Sequence, residues 1–473
     1  MGSSVQCEED SCQPHVLLFP FMAKGHTIPL LHFARLLLLR RRALVTVITT
    51  PANRPFVTES LQNTSVTIID LPFPANIPEI PAGVESTDNL PSMSLFYKFA
   101  LATAHMQPHF ERVLETLPSV SFLISDGFLW WTLHSASKFG IPRLVYYGMS
   151  SYAHAVCREA FISGIFNGPQ PEDESVKLNR FPWIGVSKND VEPEFRNQDP
   201  NSVSFEFHTN AISSTVKSFG TVVNSFYELE PVFVDYTTKE SDHKPHYCVG
   251  PLCLAEEPRN KLSEESRKPT WMEWLDKKQE VLYVAFGSQA EISSEQLKEI
   301  ATGLEESKVE FMWVVRKKEW ELPQGFEGRV EERGIIVREW VDQREILMHK
   351  SVKGFLSHCG WNSVLEAICG GVPILAWPMM AEQHLNAKMV EEEIKVGLRV
   401  DTFQGSRRGG LIRGEWVSQM VRELMEGEKG REARKKVAEL AGAAKKAVAE
   451  GGSSWRALDS LLLEACRKTE SSA

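Results

Sequence analysis

The chain has 473 residues, 42% of them hydrophobic and 24% charged, with a formal net charge of −10. That length exceeds one core and predicts two domains of roughly 200–250 residues in an ordinary soluble globular protein. The acidic balance argues against a polyanion partner, because nucleic-acid binding needs basic patches that displace counterions, and no apolar run approaches the roughly 18 residues needed to span a bilayer.

The first residues are acidic (Glu8, Glu9, Asp10), and the apolar run Val16–Met22 is interrupted by Pro20 with no small-residue cleavage site behind it. No secretory signal is read there, and a cytoplasmic location is expected. Cys7, Cys12, Cys157, Cys248, Cys253, Cys359, Cys369 and Cys466 are scattered without CxxC spacing, which fits free thiols in a reducing compartment. Asn63-Thr64-Ser65 matches a glycosylation sequon, but without a secretory signal it is read as chance.

The first half opens with a strand, His15–Phe19. A loop is expected over Met22–Ile28, with Pro29 in the first turn of a helix that continues through Leu30–Arg42. The Arg40-Arg41-Arg42 run then complements the helix dipole. The β-branched run Leu44–Thr49 completes a βαβ unit with a right-handed crossover. Further strands are expected at Val66–Ile69, Ser121–Ser125 and Arg143–Tyr147, separated by helical segments. This alternation predicts a parallel sheet covered on both faces. Residues 165–205 are rich in Pro, Asn, Asp and Glu and read as a loop-rich insertion.

A linker-like stretch follows Cys248. The domains are therefore drawn as 1–248, a linker at 249–265, a second domain at 266–455, and a terminal helix at 456–473 that packs back on the first domain. The second half repeats the pattern: strands at Val281–Phe286, Phe311–Val315 and Gly334–Val337, and helices at Ser294–Ser307, Gly414–Glu426 and Gly430–Glu450. The fold class is α/β, two Rossmann-like doubly wound domains facing across a cleft, where a ligand binds most naturally.

The most informative stretch is Trp340–Gln383, WVDQREILMHKSVKGFLSHCGWNSVLEAICGGVPILAWPMMAEQ. Gly354–Ser357 reads as a strand and Trp361–Cys369 as a helix. Gly370-Gly371 ends that helix, and Pro373 prevents its continuation. The turn His358-Cys359-Gly360 thus lies where a strand's carboxyl end meets a helix's amino end. Unpaired N–H groups and the positive dipole end suit a pyrophosphate there, and Gly360 permits close backbone approach. Trp377 reads as core.

This 44-residue stretch closely resembles the signature box of plant family-1 UDP-glycosyltransferases, and most of the chain resembles them more loosely. The resemblance implies the two-domain fold known as GT-B. It implies that Trp340 stacks on uracil beside Val341 and that Gln343 contacts the nucleoside. His358, Gly360, Asn362 and Ser363 would hold the diphosphate, and Glu366 the ribose hydroxyls. Trp361, Glu382 and Gln383 would read the sugar. Ser288, after the first strand of the second domain, would be a phosphate contact. Trp361 and Gln383 resemble the glucose-using members. Asp342 stands where the family usually has Pro, and Ser357 where Thr is common.

His26 follows the first strand and Asp126 ends the fourth, both at carboxyl ends, the ligand side of an open α/β sheet. A neutral imidazole accepts a proton from an acceptor hydroxyl. A carboxylate on its other nitrogen fixes the tautomer. The family uses His and Asp at these matching positions, so His26 is assigned as base and Asp126 as its partner, with inversion at the anomeric carbon. His105 and His109 have helical spacing, but Pro108 lies between them and no third ligand is visible, so no metal is expected. Phe21, Phe96, Phe128, Leu129, Met149, Met379 and Met380 are candidates for an apolar acceptor pocket.

The expected activity is transfer of glucose from UDP-glucose to a hydroxyl of a small apolar acceptor such as a flavonoid, by a monomer without cofactor or nucleic-acid partner. Attack by ring carbon, another UDP-hexose, and a terpenoid or hormone acceptor stay open. A nicotinamide dehydrogenase would need GxGxxG after the first strand, and the loop MAKGHTIP lacks it. A silent sugar-nucleotide binder would be favoured by loss of His26 or Asp126, and both are present.

Overall fold

In the first half, β1 (His15–Phe19), β2 (Leu44–Thr49), β3 (Thr67–Asp70), β4 (Phe122–Asp126) and β5 (Arg143–Tyr147) precede a small antiparallel hairpin, β6 (Val176–Lys177) and β7 (Gly185–Val186). β8 (Gly220–Val223) and β9 (His246–Cys248) complete a seven-stranded parallel sheet of order β3-β2-β1-β4-β5-β8-β9. The second half contributes β10 (Val281–Ala285), β11 (Glu310–Val314), β12 (Gly334–Val337), β13 (Val352–Ser357), β14 (Ile374–Ala376) and β15 (Gly397–Arg399), a six-stranded parallel sheet of order β12-β11-β10-β13-β14-β15. These facts come from a computed structural model, which describes residues 13–40, 43–166, 168–169, 171–196, 199–240, 244–255, 268–287, 289, 291–315, 321–400 and 410–472.

Each sheet is buried on both faces, which is why its central strands are mainly apolar: β1, β4 and β10 are buried at every position, including the polar Ser125 and Asp126 that end β4. In each sheet the order reverses at one place. Chain progression runs outward one way from β1 and the other way from β4, and likewise from β10 and β13. The crevice beyond the carboxyl ends at such a reversal is the natural ligand position. Asp126 is the last residue of β4, and His26, Gly287 and His358 follow the carboxyl ends of β1, β10 and β13.

One local expectation needs correction, and two gain detail. Met22–Ile28 is not a loop. The helix starts at Lys24 and runs to Leu39, capped by the extended Ala23. Pro29 therefore lies inside it, where it lacks the N–H that would bond the Gly25 carbonyl. That carbonyl instead accepts Asn362 Nδ2 from the second domain at 2.6 Å, so the missing bond is replaced by a contact between domains. Second, Arg40 does more than complement a dipole: its guanidinium lies 3.3 Å from the centre of the Trp455 ring and 3.8 Å from Asp459. Third, residues 165–205 are mostly loop, and within them lie the hairpin and the short helix Pro193–Arg196.

The terminal helix spans Ser453–Ser472, and its Leu458, Leu461, Leu462 and Ala465 are buried with Val16, Leu37 and Tyr247 of the first domain. Most of the expected linker, 256–265, lies outside the described residues. Five cysteines, Cys157, Cys248, Cys253, Cys359 and Cys369, are unbridged. No described helix is long and apolar enough to cross a membrane.

Candidate active site

His26 sits in the first turn of the Lys24 helix, 21% exposed, with Nδ1 2.6 Å from Oδ2 of the fully buried Asp126. Asp126 Oδ1 accepts the Phe128 N–H at 2.9 Å, which fixes the carboxylate. Burial lowers the His26 pKa. Attraction by Asp126, the hydrogen bond to it, and weaker attraction from Glu382 and Asp88 outweigh that and raise it above 6.5. With Nδ1–H held by Asp126, Nε2 is the atom left to take a proton.

The opposing wall is built on the turn after β13. Ser357 Oγ accepts the Cys359 N–H at 3.1 Å, Asn386 donates to the Cys359 carbonyl at 3.0 Å, and Cys359 adopts φ 63°. A Cβ on Gly360 would come within 2.7 Å of His358 Nε2, and one on Gly287, at φ 79°, within 2.9 Å. Two glycines are thus required for the His358 ring to fit between the loops. The first intrahelical bond of Trp361–Gly370 is Val364 N–H to Gly360 O at 3.1 Å. The N–H groups of Trp361, Asn362 and Ser363 precede it and face the turn, an arrangement that binds anions.

Gln343 Nε2 donates to Ser363 Oγ at 2.8 Å and to Glu366 Oε2 at 2.7 Å, so these three side chains form one polar wall. Burial pushes the Glu366 carboxyl up to about 7, against a lowering effect of the Gln343 hydrogen bond. Glu382 is raised as well, chiefly by burial, and His26 partly offsets this. Gln383 Oε1 accepts the N–H groups of Met379 and Met380, at 3.0 and 3.2 Å, and so orders the loop beside it. Trp340 is 51% exposed on the cavity wall, with Lys24 Nζ 4.2 Å from its ring centre.

The departure at Asp342 has a physical account. Asp342 is the N-cap of the helix Gln343–Leu347, accepting from Arg344 N–H at 3.0 Å and Glu345 N–H at 3.4 Å. Asp342→Ala is expected to cost about 1 kcal/mol and to raise KM for the nucleotide sugar, because Gln343 is the next residue. Denaturant unfolding and donor titration check both; an unchanged midpoint would show that the cap carries no weight.

One cavity of about 2250 Å³ brings these groups together with Phe96, Phe128, Met149, Met379 and Met380. It does not include Phe21 or Leu129. Both are fully buried core residues, and Phe21 meets the cavity only through the rings of His26, Phe96 and Phe128, with centroids 5.7, 6.0 and 5.3 Å away. Trp361 lines the cavity. Its side chain is buried and its one donor, Nε1–H, bonds the Asn224 carbonyl at 2.8 Å, leaving only its backbone N–H for a ligand. Val341 lines the cavity but is 2% exposed. Trp377 is buried against Phe286. Ser288 lies outside the described residues.

Several residues in the cleft escaped sequence reasoning. Asn224, just beyond β8, contacts Asn362 at 3.4 Å, Gln289 Nε2 donates to Thr87 Oγ1 at 2.7 Å, and Phe207 adds to the aromatic wall 5.2 Å from Phe128. Only Asn224 had a signal, as a polar residue at a sheet's carboxyl edge. The others meet across separations that no local pattern encodes.

Residues 246–405 match the family model for UDP-glucoronosyl and UDP-glucosyl transferase. UDP-glycosyltransferase 90A1 of Arabidopsis thaliana is 54% identical over 470 residues, 97% of each chain. This chain belongs to the UDP-glycosyltransferase family. UDP-glucose flavonoid 3-O-glucosyltransferase 7 of Fragaria ananassa is 34% identical to this UDP-glycosyltransferase over 97% of both chains. The solved structure of Phytolacca americana UGT2 complexed with UDP-2fluoro-glucose and pterostilbene aligns with a TM-score of 0.80 and 30% identity, over 96% of this chain and 99% of that one. The enzyme has the GT-B architecture of these plant transferases. Among its described residues, no group of three or more His, Cys, Asp or Glu side chains is arranged to hold a metal ion.

Proposed function

We propose that this UDP-glycosyltransferase moves glucose from UDP-glucose to a phenolic hydroxyl of a small aromatic acceptor, with inversion. The observation that carries this reading is the His26–Asp126 pair at 2.6 Å, set one residue from the Gly25 carbonyl that Asn362 of the donor wall holds.

The diphosphate binds at the amino end of the Trp361 helix, with His358, Asn362 and Ser363 as side-chain donors. Uracil lies on Trp340, displacing or sharing the indole with Lys24. Glu366 accepts the ribose hydroxyls, and Glu382 and Gln383 bind sugar hydroxyls near His26. The acceptor oxygen gives its proton to His26 Nε2 as it bonds to the anomeric carbon, and the bond to UDP breaks on the opposite face. Asp126 stabilises the imidazolium that forms. The negative charge that develops on UDP is met by the helix N–H groups already in place. Phe96, Phe128 and Phe207 favour a planar acceptor, and the flavonoid and stilbene molecules associated with the relatives support that class.

Purified enzyme incubated with UDP-glucose, UDP-galactose or UDP-glucuronate and a panel of phenols is expected to give a hexose mass gain with UDP-glucose. The reading fails if no phenol gains a hexose under any donor. An acid-stable product would move the bond from oxygen to ring carbon.

A further inference from the structure

The cavity holding His26 does not end at the aromatic wall. It continues between the helices Ser151–Ser163 and Val203–Lys217. Its volume of about 2250 Å³ compares with roughly 300–1,000 Å³ for an ordinary ligand pocket. A nucleotide sugar and a one-ring phenol leave part of it unfilled. The extension is walled by Phe161, Ile162, Val203, Ile212 and Val216, whose exposure runs from 39% to 65%. Large apolar side chains gathered on one groove, rather than scattered singly, mark a binding surface.

The floor of the groove carries a polar group with no partner among the described residues. His154 packs on Tyr147 with ring centroids 5.9 Å apart. Among the described residues its Nδ1 is buried without a hydrogen bond and Nε2 has no partner, and the ring lines the cavity. Burial, and to a lesser degree the charge of Arg158, lower its pKa to about 4, so the ring is neutral. A neutral imidazole has one N–H. On Nδ1 that proton would be a buried unpaired donor, the costlier arrangement. The tautomer with Nε2–H avoids this and offers the cavity a donor.

The groove is also within reach of the reacting centre. A Cβ on Gly148 would lie 3.6 Å from the His26 ring. From Gly148 to His154 the chain takes two connecting residues and about one helical turn, a span on the order of 10–15 Å at most. One phenol ring is too short to cover it; three or four fused rings are not.

We infer that this groove is a distal acceptor subsite for an elongated, rigid, mainly apolar acceptor, whose far end carries a carbonyl, ether or hydroxyl oxygen that receives the His154 Nε2–H. The inference rests on the proposed transfer at His26, where the near hydroxyl of the same molecule reacts.

Two phenols test it. Estrone has a phenolic hydroxyl at one end and a ketone at the other. 5,6,7,8-Tetrahydro-2-naphthol keeps the phenolic ring and its neighbour but lacks the rest. Wild-type enzyme is expected to show a KM at least about tenfold lower for estrone. His154→Phe, which keeps a ring and removes the donor, should raise the estrone KM by about tenfold, the worth of one well-made hydrogen bond. The naphthol KM and both kcat values should stay unchanged. Ile212→Glu, on the groove wall, should act in the same selective way. Equal KM values for the two phenols in wild type, or parallel changes in both, would overturn the subsite while leaving transfer at His26 intact. If neither phenol is glucosylated, the transfer reading fails instead. Calorimetric binding of estrone to wild type and His154→Phe then still decides the groove: equal affinities reject it, and a loss of about tenfold supports it.

Discussion

His26→Ala lowers kcat by about 10²–10⁴-fold, the usual worth of a positioned general base, while the affinity for UDP-glucose changes little. In the proposed reaction the side chain faces the acceptor hydroxyl and not the nucleotide, so its loss should appear in the chemical step. Asp126→Asn tests the same pair from the other side. An amide no longer stabilises the imidazolium and is free to impose the wrong tautomer, so a large fall in kcat is expected without loss of His26. Removing His26 also leaves the fully buried Asp126 carboxylate without its partner. Thermal unfolding must therefore accompany the kinetics, and His26→Gln, which retains a donor toward Asp126, should restore stability but not rate. The pH profile adds a separate check. His26 works as a base only when neutral, and its pKa is raised above 6.5. The rate should rise with pH through a value above 6.5. In Asp126→Asn that limb should shift toward lower pH, because the main raising influence is gone. Undiminished turnover of a phenol by folded His26→Ala would end the assignment of the base.

Glu366→Gln raises KM for UDP-glucose by about 10–100-fold and leaves kcat nearly intact. In the proposed donor pose the carboxylate accepts two ribose hydroxyl hydrogens, and a hydrogen bond to a charged group is worth about 1.5–3 kcal/mol. Glutamine keeps the size but offers one acceptor and adds a donor facing Gln343 Nε2, which now donates to Glu366 at 2.7 Å. The pH dependence again has a definite sign. The Glu366 pKa is raised to about 7 by burial, so acidification through that value protonates the group and removes one of its acceptor positions. The donor KM should climb as pH falls below about 7 in wild type and be flat in Glu366→Gln. Initial rates at saturating acceptor, measured from pH 5.5 to 8.5, separate this KM effect from the kcat effect of His26. A donor KM that is independent of pH in wild type would remove Glu366 from the ribose site.

Much of the donor wall was legible because it is local. A strand, a three-residue turn and a helix start are specified within the run Gly354–Gly370, and the anion site follows from the unpaired N–H groups at that helix start. Fold class was legible for a related reason: apolar runs at strand length alternate with helical periods through both halves. The start of the Lys24 helix was not. Pro29 normally announces a first turn, and its place inside the helix leaves unpaired the Gly25 carbonyl, which Asn362, 337 positions on from Gly25, takes up. The bond from the Trp361 indole N–H to Asn224 in the other domain was equally invisible in the sequence.

The sequence by itself determined two parallel α/β sheets, which residues end their strands, and the family to which those strand ends belong. Those features depend on side-chain period, turn chemistry and short spacings, all written in neighbouring residues. Only the tertiary structure decided that Phe21 and Leu129 are core while Phe207 lines the cleft, that Asp342 caps a helix, and that His154 opens on a groove beyond the aromatic wall. Each of these depends on which surfaces meet when two sheets close on one another, and burial and hydrogen-bond satisfaction at such a meeting are properties of distant pairs.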